Sequence, residues 1–101
     1  MIKIARLHKD KIDDYKKLHN NVPEQIIKHL TGEGIKVLNI YLLNDILVMV
    51  LQIDPASIEK ELVIDQEQED NWNKATGDCF QSIWEDAGLI FELDKIAGSD
   101  H

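Results

Sequence analysis

Tyr15 and His19 are the residues of this chain whose types and spacing best suit chemistry. Four positions apart on a helix, they project from one face and can meet the same ligand. Histidine changes charge near neutral pH, so it serves as proton donor or proton acceptor. A neighbouring tyrosine adds a hydroxyl that donates or accepts a hydrogen bond. On spacing alone, the pair is more often an ordinary helix face. Other candidates are weaker. Cys79 has no local motif of a thiol nucleophile and reads as a buried structural thiol. The acidic stretch Glu59–Asp70 lacks the alternating aspartates of a calcium loop and reads as a solvated helix face. Gly32 and Gly34 fit no phosphate-cradling pattern and suit helix capping. Trp72 reads as core packing and Trp84 as packing against the last strand. His8 and His29 read as surface residues, with His8 at a strand end from which it could approach a pocket rim. The sequence shows neither a nucleophilic triad nor a metal-ligating constellation.

Composition narrows the partners. The chain has 101 residues, 44% of them hydrophobic, which is enough apolar material for one domain spanning 1–101 with its own core. With 19 acidic against 11 basic residues, the formal net charge is -8. Nucleic acid and anionic membranes both require clustered Lys and Arg, so neither is an expected partner. Arg6 is the only arginine, and a phosphate clamp is poorly supplied. A lone cysteine excludes an internal disulfide framework and a multi-cysteine zinc site, and it suits a reducing compartment. The start, Met1 to Leu7, has no apolar h-region or cleavage site. The longest apolar run, Ile46 to Leu51, is too short to span a bilayer. A soluble, cytoplasmic protein is the expectation.

The candidate pair must be positioned by elements that the pattern also predicts. Residues 2–7 alternate around Ile2, Ile4 and Leu7 as a first strand. Asp10 opens a helix carrying Ile12, Tyr15, Leu18 and His19, with Asp13 in its positive first turn. Pro23 suits a new first turn, so the helix should kink near Asn20–Val22 and resume through Ile26, Ile27 and Leu30. The run Thr31-Gly32-Glu33-Gly34 ends it. Residues 35–43 form a second strand, Asn44-Asp45 a tight hairpin turn, and residues 46–53 a third strand. Asp54-Pro55 opens another helical region with a largely acidic face over Glu59–Glu69, continuing through Asn71–Ala75 and broken by Gly77-Asp78. A turn at Ser82–Asp86 then leads into a last strand, Leu89 to Leu93, and the tail from Ala97 to His101 frays. The order β-α-β-β-α-β is the ferredoxin-like split βαβ arrangement, an α+β fold with a four-stranded antiparallel sheet and its helices on one face. The third strand is apolar on both faces, so the other sheet face needs cover too. A second copy of the chain would supply it, making a homodimer of packed sheets, a dimeric α+β barrel.

Four stretches together carry a family resemblance. Asp10 to Glu24, which includes Tyr15, His19 and Val22-Pro23-Glu24, resembles the first-helix motif of the L-rhamnose mutarotase family, where Tyr and His four residues apart precede Trp-Pro-Glu. Ile40-Tyr41-Leu42 with Asp45 and Leu47 is similar to its second strand and hairpin. Trp72 followed by Thr76-Gly77-Asp78-Cys79 resembles a variant of its Trp-rich helix, and Ile90-Phe91-Glu92-Leu93 looks like its closing strand. Each motif alone is weak, but the four follow one another along nearly the whole chain. Members of that family interconvert the anomers of L-rhamnose without a metal or other cofactor. The resemblance therefore implies a monosaccharide substrate, L-rhamnose or a related deoxy sugar. It implies His19 as the main catalytic acid/base group and Tyr15 as hydrogen-bond donor or second proton-transfer group. Trp72 would be a substrate-binding wall against the sugar's C–H face. Leu38 stands at a substrate-binding position where the family has a pocket tyrosine. Tyr41 lies at an odd offset from it and so points to the opposite face. Val22 stands where a tryptophan is usual, and Asn73 replaces the second residue of a Trp-Trp pair.

Two other function classes compete. A non-catalytic ligand-binding or regulatory domain of the same fold is favoured by Leu38 and Val22. A cofactor-free monooxygenase expects a deep aromatic-lined cavity, which 6% aromatic residues supply poorly. A mutarotase needs His19 accessible in a cleft with Tyr15 and Trp72, whereas a binding domain would show a closed or wholly apolar pocket.

Overall fold

The computed structural model describes residues 1–93. Strand β1 covers Ile2–Leu7, helix α1 Ile12–Asn20, helix α2 Glu24–Gly32, strand β2 Ile35–Leu43 and strand β3 Ile46–Ile53. Helix α3 covers Gln66–Gly77 and strand β4 Phe80–Ala87. The strands form one sheet in the order β2-β3-β1-β4, with every neighbouring pair antiparallel. This is the ferredoxin-like order, with the first helix of the split βαβ unit divided in two. Among the described residues, no helix is long and apolar enough to cross a membrane.

Register decides which side chains meet the helices. Ala5 pairs with Leu47, and Leu47 with Leu42, so these residues share one face. Alternation then puts Leu38, Ile40 and Leu42 of β2, Leu47, Met49 and Leu51 of β3, and Ala5 and Leu7 of β1 toward the helices. The core forms there from Ala5, Leu7, Leu47, Tyr15 and Cys79. Leu7 and Leu47 are fully buried, and each contributes about 1.5–3 kcal/mol relative to exposure. The opposite face carries Ile2, Ile4, Val37, Tyr41, Leu43, Ile46, Val48 and Val50. Among the described residues nothing covers that face, and Tyr41 is 56% exposed.

The turns have local causes. Asn44 takes the left-handed conformation at φ 57° that a tight hairpin requires. The Asp45 carboxylate accepts hydrogen bonds from Arg6 at 3.0 and 3.2 Å, so the one arginine braces the hairpin against β1. Pro23, with φ -56°, stands just before α2 and separates it from α1. Gly34, at φ 83°, admits the carbonyl of Asp54 to 2.6 Å from where a Cβ would lie. That close approach, with the bond from Asp54 N–H to the Gly34 carbonyl at 2.8 Å, ties the exit of β3 to the entry of β2.

Strands β1, β2 and β3 have the bounds that the sequence predicts; three other elements do not. Helix α1 begins at Ile12 rather than Asp10, because Lys9–Lys11 form a short 3₁₀ turn and Asp13 and Asp14 occupy its first helical turn. The helical region expected from Asp54-Pro55 is only a 3₁₀ turn at Pro55–Ser57, where Asp54 accepts from Ala56 N–H and the Ser57 hydroxyl. Residues 58–65 are irregular. Glu59 N–H bonds to the Gly32 carbonyl at 2.9 Å, and Leu62 lies against Gly32. Asp65 then caps α3 by accepting from Gln68 N–H. The last strand is Phe80–Ala87, not Leu89–Leu93. Residues expected to turn at Ser82–Asp86 instead pair with β1, and register shifts there break the alternation that marks a strand in sequence. Leu89 to Leu93 lie past the sheet and are exposed. The expected fraying of Ala97–His101 lies outside the described residues.

Candidate active site

Between the three helices and the helix-facing side of the sheet lies a cavity of about 730 Å³. Its floor includes Leu38, Ile40 and Met49, and its walls include Tyr15 and His19 from α1, Glu69 and Trp72 from α3, and Phe80 and Trp84 from β4. The four residues that the sequence singles out, His19, Tyr15, Trp72 and Leu38, thus all line one cavity. Val22 and Asn73, the two positions that depart from aromatic residues, line it as well. Tyr41 is absent from it, in keeping with its place on the opposite sheet face.

The aromatic rings form a continuous series. The Tyr15 and His19 rings are 4.2 Å apart and tilted by 32°, and the His19 and Trp72 rings meet edge to face at 5.2 Å. From Tyr15 the series continues to Phe80 at 5.6 Å and on to Trp84 at 5.8 Å, both edge to face. Such contacts add about 0.5–1.5 kcal/mol each where both rings are aromatic side chains. They also fix the His19 ring from two sides.

Hydrogen bonding sets the His19 tautomer. Its Nδ1 lies 2.8 Å from the Tyr15 carbonyl oxygen. A carbonyl only accepts, so Nδ1 carries a proton, and Nε2 takes no hydrogen bond from the described residues. Tyr15 is buried, only 5% exposed. Desolvation, aided by the neighbouring Cys79 thiol, pushes its phenol up to about 12. The phenol is therefore a neutral donor near pH 7. Cys79 is buried too, and burial, then Asp14, pushes its thiol up. The thiol contacts the Ala75 carbonyl at 3.6 Å, so it is structural and not an activated nucleophile. Among the described residues, no group of three His, Cys, Asp or Glu side chains is placed to hold a metal ion.

Two expectations are corrected here. His29 is not a surface residue but is 2% exposed. Its Nδ1–H donates to Glu69 Oε2 at 2.7 Å, and its Nε2 accepts from Asp65 N–H at 3.0 Å. The signal was present, since His29 lies three positions after Ile26 and so shares the buried face of α2. Trp84 does pack, against Phe80, but it also lines the cavity. Phe80 went unrecognised because its strand did. His8 is exposed and does not line the cavity.

Comparisons with known proteins agree with one another. A family model described as L-rhamnose mutarotase matches residues 1–94. Among solved structures, the chain is similar to the L-rhamnose mutarotase FA22100 from Formosa agariphila, with a TM-score of 0.70 and 14% sequence identity. That likeness covers 91% of this chain and 95% of the other, and at such low identity it shows the fold. None of the curated proteins matches the chain in sequence.

The burial of Tyr15 has a titration consequence. Its folded pKa of about 12 exceeds the ordinary value of 10.0. The resulting stability is fully present below pH 10 and is lost as pH rises toward 12. In absorbance titrations, the difference between wild type and Tyr15→Phe should have its midpoint near 12, and wild type should lose more stability to urea across that window. A difference midpoint at 10 would show that the phenol is not desolvated.

Proposed function

The chain belongs to the L-rhamnose mutarotase family, and from that premise we propose that it interconverts the α and β anomers of L-rhamnose or a related deoxy sugar. The observation that carries the reading is the meeting of Tyr15, His19 and Trp72 in one cavity, with His19 Nε2 unengaged by the described residues. The cavity volume, about 730 Å³, falls within the roughly 300–1,000 Å³ typical of small-molecule sites. A monosaccharide fits this space.

Mutarotation opens a cyclic hemiacetal. His19 Nε2 takes the proton from the anomeric hydroxyl, the bond between C1 and the ring oxygen breaks, and the ring oxygen gains a proton. Tyr15, a neutral phenol, donates that proton and is left as phenolate, while His19 is left protonated at Nε2. Rotation about C1–C2 presents the other carbonyl face. The same groups then run in reverse to close the ring, returning every proton. Trp72 offers its face to the sugar's C–H bonds, and Leu38 forms apolar floor beneath. Positioned acid/base groups worth roughly 10²–10⁴-fold are sufficient. Leu38 and Val22, apolar where the family has aromatic residues, favour a second reading as a non-catalytic sugar-binding domain.

The apolar outer face of the sheet, with Ile2, Ile4, Val48 and Val50, suits burial against a second copy, giving a homodimer that works in the cytoplasm. Exposed patches of this kind are uncommon on monomers. Sedimentation at micromolar concentration should report a dimer, and a monomer would refute this assignment of the face.

The activity is tested by exchange NMR on L-rhamnose at anomeric equilibrium. Wild type should accelerate α–β exchange, and His19→Ala should lose roughly 10²–10⁴-fold of that acceleration. Retained binding without acceleration would favour the binding-domain reading. An undiminished rate in His19→Ala would remove His19 from the mechanism.

A further inference from the structure

The proton transfers above leave one polar pair in the cavity without a task. Glu69 lies three positions before Trp72 on α3, so both side chains belong to one helix face, and both line the cavity. The Glu69 side chain is 30% exposed, whereas that of its partner His29 is 3% exposed. His29 is held at both ring nitrogens, donating from Nδ1 to Glu69 Oε2 at 2.7 Å and accepting at Nε2 from Asp65 N–H at 3.0 Å. That double tie fixes the imidazole in one tautomer and leaves it no rotamer freedom. The carboxylate is therefore aimed by a rigid donor. Its second oxygen takes no hydrogen bond from the described residues. Glu33 and Lys36, the other charged residues lining the cavity, are both exposed.

A fixed carboxylate in a mainly apolar cavity is an acceptor for hydroxyl groups and disfavours anionic ligands. Its place relative to Trp72 indicates which part of a sugar it meets. His19 contacts the Trp72 ring at 5.2 Å, while Glu69 lies about one helical turn, ~5 Å, along α3. For a pyranose that lies against Trp72 with its anomeric carbon at His19, the hydroxyls left to meet Glu69 are the non-anomeric ones.

Resting on the mutarotase reading, we propose that Glu69 is a specificity-determining residue that accepts hydrogen bonds from non-anomeric sugar hydroxyls, and that His29 is its positioning residue. Binding to a carboxylate held in this way discriminates hydroxyl by hydroxyl, because a sugar lacking the partner hydroxyl leaves the charge unpaired.

The test measures the half-saturating concentration and limiting rate of anomer exchange for L-rhamnose and for its monodeoxy derivatives, each lacking one ring hydroxyl. The proteins are wild type, Glu69→Ala, Glu69→Gln, and Glu69→Ala combined with His29→Gln. For L-rhamnose, Glu69→Ala should raise the half-saturating concentration about 10- to 100-fold, as for loss of a charge-assisted hydrogen bond, with the limiting rate within a few-fold. For one monodeoxy sugar, wild type and Glu69→Ala should coincide, which a merely structural role would not produce. Adding His29→Gln to Glu69→Ala should leave the ratio of half-saturating concentrations between L-rhamnose and that sugar where Glu69→Ala alone puts it, because any shift of α3 acts on both sugars alike. If Glu69→Ala does not fold, Glu69→Gln, of the same shape but with a neutral acceptor, should give a smaller rise confined to the same hydroxyl. Unchanged half-saturation, or an equal loss across all derivatives, would overturn the proposal while leaving the mutarotase reading intact. Failure of wild type to accelerate any of these sugars would remove both.

Discussion

The docking of α1 on the sheet through Tyr15 governs the rest of the site. Tyr15 packs into the core with Ala5, Leu7, Leu47 and Cys79, and its burial fixes both the height and the rotation of the helix. One turn later, His19 must then face the same way. Its ring lies over the Tyr15 ring and donates to the Tyr15 carbonyl. The consequence is chemical as well as structural. The bond that anchors the imidazole also commits Nδ1 to carrying the proton, leaving Nε2 as the ring nitrogen able to accept one. Burial of the same tyrosine pushes its phenol up to about 12, extending its neutral range. One packing event therefore sets both the orientation of the imidazole and the apolar surroundings of the phenol.

The opposite wall is held by a different kind of force. Helices α2 and α3 are joined by the bond from buried His29 to Glu69, and His29 also accepts the backbone N–H of Asp65, the capping residue of α3. A buried polar group that lost either partner would cost about 1–3 kcal/mol, so the pair holds the two helices at a defined separation. Trp72 inherits its position from α3, and its ring closes on His19 from the far side. The cavity is thus framed by apolar docking on one wall and by a satisfied polar pair on the other.

Much of this was legible in the residues, and the exceptions have physical reasons. Strands β1, β2 and β3 are marked by alternation or continuous apolar runs and by Asn44-Asp45, local signals that tertiary contacts do not override. Tyr15 and His19 are legible because four-residue spacing on a helix fixes a shared face. Trp72 is not legible from periodicity and needed the resemblance. Strand β4 is not legible because its irregular register against β1 hides the period of two, while Leu89 to Leu93 carries strong strand composition without a neighbour to pair with among the described residues. The start of helix α3 is not legible because acidic residues suit a helix, whereas the side chains of Asp54 and Asp65 cap local backbone N–H groups on either side of an irregular crossing. The His29–Glu69 bond joins residues separated by 40 positions, and no local pattern announces such a pairing.

The proposed mutarotase chemistry depends on where a sugar sits relative to His19. A crystal structure of the protein with L-rhamnose bound measures this directly. It should place the anomeric hydroxyl or ring oxygen within about 2.6–3.2 Å of His19 Nε2, with the C–H face of the sugar against Trp72. A sugar bound on the outer face of the sheet, or one in the cavity with its anomeric carbon turned away from His19, would contradict it.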